Sequence, residues 1–269
     1  MTTKLVICDI DATLVNEKKE LTPRTKKDLI QLHEKGIYFG IASGRPADEL
    51  KRNKEYWDLP FDFDFVVGMN GAELWDGVHQ KFYSYFMMKK EWLKETMEIM
   101  KVVKCNPMIY WDGKIRCVHI DDWMIHSAST SHKELEVVKL EDFYAHENAK
   151  IMFRMKEEDM PKAEAWVKEH PNPYYHGFKT QSTLLEFCDK RINKGYGLKK
   201  ICELNDLDIK DVMAFGDTSN DNDMLKVAGC GVCMINGTDD TKACANAITK
   251  QDNDHDGLAI YLEESEILC

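Results

Sequence analysis

Short apolar runs alternate with amphipathic stretches in the first quarter of the chain. Three of these runs read as buried strands, and they cover residues 4–8, 37–42 and 63–68. Between the first two, Thr22 and Pro23 have the form of a helix N-cap and first turn, and Gly36 is a credible terminator. A further helix is predicted to begin at Pro46 or Ala47. Strands that alternate with helices in this way predict a doubly wound, Rossmann-like α/β fold with a parallel sheet.

From about residue 70 the pattern changes to short hairpins and single helices. Strands are predicted over 70–75, 79–86, 108–111, 114–120, 151–155, 173–179 and 184–188, and helices over 90–103 and 157–169. The turn pair Asp112-Gly113 is a strong hairpin signal. This texture is typical of an antiparallel α+β domain. We therefore predict an inserted domain over 84–187, within a core made of residues 1–83 and 188–269.

The α/β rhythm returns after the predicted insert. Asn193 has the form of an N-cap for a helix that runs to about Asn205. A buried strand follows over 211–215 and stops at Gly216-Asp217, and another helix opens at Asn220 or Asp221. Residues 231–234 read as the final core strand.

Composition and charge narrow the class of protein and its partners. The chain has 269 residues, is 43% hydrophobic, and carries a formal net charge of −11. That balance argues against nucleic acid or an anionic membrane as a partner, because both require clustered positive charge. No apolar run approaches the roughly 18 residues of a membrane span, and no signal-peptide pattern opens the chain. Nine cysteines without a paired metal-binding pattern predict free thiols in a reducing cytoplasm. For the oligomeric state, we expect a monomer or a small homo-oligomer.

Polar clusters fall at the carboxyl ends of the predicted core strands, where open α/β sheets bind ligands. They are Asp9-x-Asp11-x-Thr13, Ser43-Gly44-Arg45, Lys194 at its helix start, and Gly216 to Asp221. Taken alone, the pair of Asp9 and Asp11 fits an ordinary Asp-rich turn after a strand as well as it fits a functional pair of carboxylates. Together the clusters supply carboxylates, a hydroxyl, backbone N–H groups and an ammonium. That set suits phosphoryl transfer through an aspartyl-phosphate with an oxygen-loving cation.

These residues resemble the haloacid dehalogenase (HAD) superfamily of phosphatases, in particular the Cof-type group with a type IIB cap. Asp9-Ile10-Asp11-Ala12-Thr13-Leu14 is similar to the first family motif and Ala42-Ser43-Gly44-Arg45 to the second. Asn193-Lys194-Gly195 is similar to the third, and the stretch from Gly216 to Leu225 to the fourth. The resemblance covers essentially the full length, with a cap-sized insert between the second and third motifs.

The resemblance implies a role for each matching residue. Asp9 would be the nucleophile, and Asp11 would protonate the leaving group and later activate water. The resemblance assigns phosphate binding to Ser43, Gly44, Arg45, Lys194 and Asn220. It assigns Mg²⁺ binding to Asp9, Asp11 (through its backbone carbonyl), Asp217 and Asp221, with Asp221 either a ligand or a supporting residue.

The function that the resemblance implies is Mg²⁺-dependent hydrolysis of small phosphomonoesters, with sugar phosphates as the expected substrates. The insert would cover the site and select the leaving group, with Lys179, His176, Thr180 and Trp123 as candidate selectors. A phosphomutase or another phosphoryl transferase on the same fold is an alternative. Ala12 and Thr218 stand where the family usually has glycine, which leaves a catalytically weak binding or regulatory protein as a third reading.

Overall fold

The structure of the protein, a computed structural model, describes residues 3–268. In chain order the strands are β1 Leu5–Cys8, β2 Tyr38–Ala42, β3 Phe65–Gly68, β4 Glu73–Asp76, β5 Lys81–Ser84, β6 Cys105–Trp111, β7 Lys114–Cys117, β8 Leu135–Val137, β9 Lys150–Met155, β10 Tyr175–Gln181, β11 Leu184–Asp189, β12 Val212–Gly216, β13 Cys230–Cys233 and β14 Ala247–Ile248. The α-helices are α1 Pro23–Glu34, α2 Ala47–Leu50, α3 Asn53–Tyr56, α4 Lys90–Ile99, α5 Asp122–Ser131, α6 Met160–Glu169, α7 Lys194–Leu204, α8 Asn222–Val227, α9 Asp239–Cys244 and α10 Gly257–Glu264.

These elements divide into two compact units. One unit, called here the core unit, runs up to Ser84 and resumes at Ile192; the other, the insert unit, is Tyr85–Arg191. The insert predicted over 84–187 ends inside β11, because Cys188 and Asp189 still pair with His176 and Tyr175 of β10. The pairing extends the compact unit beyond the predicted boundary.

The core unit is built on an eight-stranded sheet in the order β14-β13-β12-β1-β2-β3-β4-β5. The strands from β14 to β3 are parallel, and β4 and β5 add to β3 as antiparallel strands. All four residues of β1 are fully buried, as expected for a strand covered on both faces. Because β12, β1 and β2 are neighbours, their carboxyl ends lie side by side at one edge of the sheet. The doubly wound α/β fold class predicted from the sequence is confirmed.

Local signals account for the first core helix. Thr22 is the N-cap of α1, and its Oγ1 accepts a hydrogen bond from the Thr25 N–H at 3.1 Å. Pro23 is the first helical residue, and Gly36 takes a left-handed φ of 74° just after the helix. The strands predicted before and after α1 match β1 and β2.

Three predictions of core elements were wrong or incomplete. Asn70 and Gly71 form a tight turn before β4 rather than part of a strand. The strand over 231–234 is not the last of the sheet, because β14 follows and pairs with β13. The C-terminal helix α10 was not predicted; its Leu258 and Leu262 are buried against the core.

The insert unit has its own six-stranded sheet, in the order β10-β11-β9-β6-β7-β8, and only the β7–β8 pair is parallel. Alternation along β9 and β11 sends Ile151, Phe153, Leu185 and Phe187 into one apolar cluster, shared with Leu93 of α4. A smaller cluster joins Met152 and Leu184 to Met124 of α5. Each face of this sheet therefore packs within the insert unit itself.

Two further predictions from the sequence concern membrane-spanning segments and the state of the cysteines. None of the helices in residues 3–268 combines the length and the apolarity that a membrane crossing needs. The eight cysteines before Cys269 are free thiols, and burial raises the pKa of Cys202 and Cys233 to about 11.

Candidate active site

The loop after β1 sends its two aspartates in different directions. Asp9 follows the strand directly, its N–H donates to the Phe215 carbonyl of β12 at 2.9 Å, and only 7% of the residue is exposed. Asp11 is extended, and Ala12 turns the chain with a left-handed φ of 60°. The Asp9 carboxylate meets Lys194, while the Asp11 carboxylate meets Arg45 and Lys19. The loop thus separates two like charges that are one residue apart in sequence.

Lys194 is the first residue of α7 and is completely buried. Its Nζ donates to Oδ1 of Asp9 and, at 2.6 Å, to Oδ1 of Asp221. A lysine at a helix N-terminus opposes the helix dipole, so the two carboxylates are what stabilise it there. Burial alone would lower the pKa of Lys194, but Asp221 and Asp9 outweigh it and raise that pKa above its ordinary value. Lys194 is therefore a charged ammonium held between two acids.

The loop after β12 supplies the other two acids. Asp217 accepts a hydrogen bond on Oδ1 from the Thr13 hydroxyl at 2.9 Å. Asp221 is fully buried, and its Oδ2 accepts from the backbone N–H of Asp217 at 3.0 Å and of Thr218 at 3.2 Å. Both oxygens of Asp221 are thus already hydrogen-bonded, one to Lys194 and one to the backbone.

The carboxylates of Asp9, Asp217 and Asp221 form a cluster with an excess of negative charge. Each offers one oxygen, and these oxygens lie within 4.8 Å of one another. Burial raises the pKa of Asp9 well above its ordinary value, although Lys194 opposes the rise. Burial and the nearby Asp221 raise the pKa of Asp217 to about 6. Three carboxylates face one ammonium, so the donor set fits a hard cation such as Mg²⁺, which would relieve their repulsion.

Asp11 has a different environment. One of its oxygens lies 2.8 Å from Lys19 Nζ, and the other lies 3.1 Å from the Arg45 guanidinium. Burial favours the neutral acid, but Arg45 and Lys19 outweigh it and lower the Asp11 pKa below its ordinary value. Arg45 also lies 3.6 Å from Glu49, one helical turn along the chain. Asp11 is therefore ionised in this arrangement.

The remaining predicted phosphate contacts gather around the ends of β2 and β12. Ser43 is buried, and its N–H donates to the Val67 carbonyl at 2.8 Å. Gly44 is half-buried beside the Asn70 amide, and the exposed Asn220 lies 3.5 Å from the same amide. The hydrogen bonds thus arrange the predicted residues in three groups, around Lys194, around Asp11 and around Asn70.

Three residues of this region were not identified from the sequence. Lys19 contacts Asp11, Asn70 lies beside Gly44, and Asn236 Nδ2 donates to the Ala12 carbonyl at 2.8 Å. Two of the three were detectable. Asn70 and Asn236 each precede a glycine shortly after a core strand, and Asn-Gly is a turn signal that places a polar side chain at a sheet edge.

The candidate selectors all lie in the insert unit. Lys179 pairs with Glu164 at 3.6 Å, and the Thr180 hydroxyl donates to Glu186 at 3.1 Å. His176 lies 3.4 Å from the Cys188 sulfur. Trp123 is on α5, near the Arg154 guanidinium. Their role in choosing a substrate stays a prediction.

Comparison with known proteins adds an independent observation. A family model described as haloacid dehalogenase-like hydrolase matches residues 6–262. The chain is 26% identical over 264 residues to 5-amino-6-(5-phospho-D-ribitylamino)uracil phosphatase YitU of Bacillus subtilis, a match that covers 97% of this chain and 96% of that one. A haloacid dehalogenase-like hydrolase from Bacteroides thetaiotaomicron has a similar structure, with a TM-score of 0.87, 25% identity and coverage of 98% and 100% of the two chains. The HAD subclass IIB sugar phosphatase BT4131 superposes with a TM-score of 0.83 at 22% identity, over 98% of this chain and all of the other.

Proposed function

The chain belongs to the haloacid dehalogenase-like hydrolase family as a Cof-type phosphatase, and we propose that it hydrolyses small phosphomonoesters with Mg²⁺ through an aspartyl-phosphate. The observation that carries the proposal is the buried Lys194 ammonium, shared between Asp9 and Asp221 next to Asp217. Burying a lysine and three acids costs desolvation free energy, and charged clusters of this kind are found at catalytic sites.

In the first proposed step, an Asp9 carboxylate oxygen attacks phosphorus. A bond forms between that oxygen and phosphorus as the ester P–O bond breaks, and the leaving oxygen takes a proton. Lys194 donates to Asp9 and opposes the rise in the Asp9 pKa that burial causes, so it favours the ionised carboxylate that attacks. Its ammonium also neutralises charge that builds up on the phosphoryl oxygens. Bound Mg²⁺ would supply further positive charge to the phosphoryl group, held by Asp9, Asp217 and the Asp11 carbonyl. We place Asp221 in the supporting role, because both its oxygens are already engaged.

Asp11 is the proposed proton carrier for both steps. Its lowered pKa leaves Asp11 ionised, which is the form that the second step requires. In that step Asp11 takes a proton from the water that attacks phosphorus, and the attack releases Asp9 and inorganic phosphate. Donation in the first step needs a protonated Asp11. A substrate phosphate would draw Arg45 away from Asp11, and the Asp11 pKa would then rise toward the value that donation requires.

The phosphate itself would be held by Ser43, the Gly44 N–H, Arg45, Lys194 and Asn220. The substrate class we propose is phosphorylated sugars and sugar alcohols. The support is the B. subtilis relative, whose name specifies a phospho-D-ribityl group. The net charge of −11 makes local positive groups necessary for holding any such anion.

The test is phosphate release from a panel of phosphorylated metabolites, with and without Mg²⁺. We expect turnover of sugar or sugar-alcohol phosphates that chelation abolishes and added Mg²⁺ restores. Asp9→Asn removes the nucleophile and should lower kcat by at least about 10⁴-fold. Asp28→Asn, at another buried aspartate of the core unit, is the matched control and should keep its activity. Wild-type rates in Asp9→Asn, or turnover that ignores chelation, would contradict the mechanism.

A further inference from the structure

The turn after β3 has an unusual backbone. Met69, Asn70 and Gly71 follow one another with left-handed φ values of 49°, 55° and 108°. Such a conformation costs about 1–3 kcal/mol for each residue other than glycine, and it persists only where its surroundings enforce it. Backbone strain is therefore maintained at the carboxyl edge of the parallel sheet, which is where open α/β sheets bind ligands.

Contacts on both sides enforce the turn. The Met69 N–H donates to the Arg45 carbonyl at 2.8 Å, and the Asn70 N–H donates to the Ser43 carbonyl at 3.0 Å. On the other side, a Cβ on Gly71 would lie 2.3 Å from the carbonyl oxygen of Asn193, the N-cap of α7. The turn is therefore packed between the Ser43–Arg45 loop and the start of the helix that carries Lys194.

The Asn70 side chain lies among the predicted phosphate contacts. A Cβ added to Gly44 would lie 3.4 Å from both the nitrogen and the oxygen of the Asn70 amide, so the amide occupies the space next to that glycine. Asn220 Nδ2 points to Asn70 Oδ1 across a long contact of 3.5 Å. Asn70 is half-buried, and its amide lies near both Gly44 and Asn220.

We propose that Asn70 is a positioning residue for the phosphate-binding group. Its backbone sets the distance between the Ser43–Arg45 loop and α7, and its amide orients Asn220 toward the phosphate that the Gly44 N–H also binds. The inference rests on the proposed phosphatase function. Asparagine suits the position because it tolerates the left-handed region better than other side chains and supplies an amide there.

Asn70→Gly separates the two parts of this role, because glycine keeps the left-handed backbone and removes the amide. We expect the melting temperature to stay within a few degrees of wild type. We expect KM for p-nitrophenyl phosphate and the inhibition constant of inorganic phosphate each to rise about tenfold. Asp206→Gly is the matched control: Asp206 has a φ of 51°, is exposed and belongs to the same unit, so its change to glycine should alter neither constant.

The outcomes are distinguishable. If Asn70→Gly keeps the wild-type KM and phosphate inhibition, the turn matters only for its backbone and the inference is wrong. If the phosphate inhibition constant rises while the fold is retained, the amide positions the phosphate contacts. Failure of wild-type protein to hydrolyse any phosphate ester in Mg²⁺ would instead count against the proposed function. Asn70→Ala, which keeps the strain without the amide, should lose stability as well as phosphate affinity.

Discussion

Ala12 occupies a backbone position that favours glycine. Its φ of 60° brings Cβ close to the following carbonyl, which costs about 1–2 kcal/mol for an L-residue. Glycine would remove that cost but adds about 0.5–1 kcal/mol of unfolded-chain entropy. Ala12→Gly should therefore stabilise the core unit by about 0.5–1 kcal/mol, read as a rise of about 1–3 °C in melting temperature.

The same Ala→Gly substitution inside a helix should change the free energy of unfolding in the opposite direction, and it serves as the control. Ala243 lies in α9 of the core unit and is exposed, so Ala243→Gly should lower the free energy of unfolding by about 0.5–1 kcal/mol. A loss of stability in Ala12→Gly equal to that in Ala243→Gly would show that the Ala12 position carries no strain.

Individual residues also mark where sequence reasoning stops. The acids and Lys194 could be placed at one sheet edge, because they follow parallel strands or open a helix beside them. Their pairing could not. That Lys194 bridges Asp9 and Asp221, while Asp11 meets Lys19, depends on rotamers and on the Ala12 turn, neither of which leaves a periodic signal. Lys19 itself looks like an ordinary loop lysine in the sequence.

At the scale of elements, α7 couples stability to the site. Its N-cap Asn193 accepts from the Tyr196 N–H at 2.7 Å, and Lys194 is the next residue. Asn193→Ala should cost about 1 kcal/mol of unfolding free energy. It should also lower kcat, because fraying of the first turn moves the ammonium away from Asp9. Asn193→Ser keeps a cap oxygen and should restore most of both quantities.

Urea denaturation and steady-state rates of the two Asn193 variants provide the measurement. Equal losses in Asn193→Ala and Asn193→Ser would mean that the cap hydrogen bond does not hold Lys194. A fall in stability without a fall in kcat would show that the first turn of α7 stays in place without its cap.

Elements with strong periodicity or clear caps were predictable, and weak ones were not. The strands β1, β2 and β12 are unbroken apolar runs. Helix α1 has a cap residue at each end, and helix α7 has one at its N-terminus. By contrast, α5 has the sequence Asp-Trp-Met-Ile-His-Ser-Ala-Ser-Thr-Ser, whose polar and apolar positions have little helical periodicity. The strand β14 has two residues, too short for any alternation to show.

At the scale of the whole molecule, the change along the sequence from alternating strands and helices to hairpins indicated an inserted domain. The limits of that domain depend on contacts within it. The pairing of β10 with β11 continues as far as Asp189, and the Arg191 guanidinium donates to the Asp189 carboxylate at 2.7 Å. The same guanidinium lies 3.7 Å from the centre of the Phe86 ring. The two ends of the insert unit are thus held together by its own residues. None of these contacts follows a periodic pattern, so a boundary near 187 was the natural estimate from sequence.

The insert unit should fold alone when it is cut at its own limits. A fragment of residues 85–191 keeps a six-stranded sheet and both apolar clusters, so we expect one cooperative urea transition with an unfolding free energy of about 5 kcal/mol. A fragment of residues 84–187 loses the last two pairs between β10 and β11 and the contact of Arg191 with Phe86. It should be less stable by about 2 kcal/mol or more. Equal stability of the two fragments, measured by circular dichroism, would place the boundary at 187, and failure of both to fold would show that the insert unit depends on the core unit.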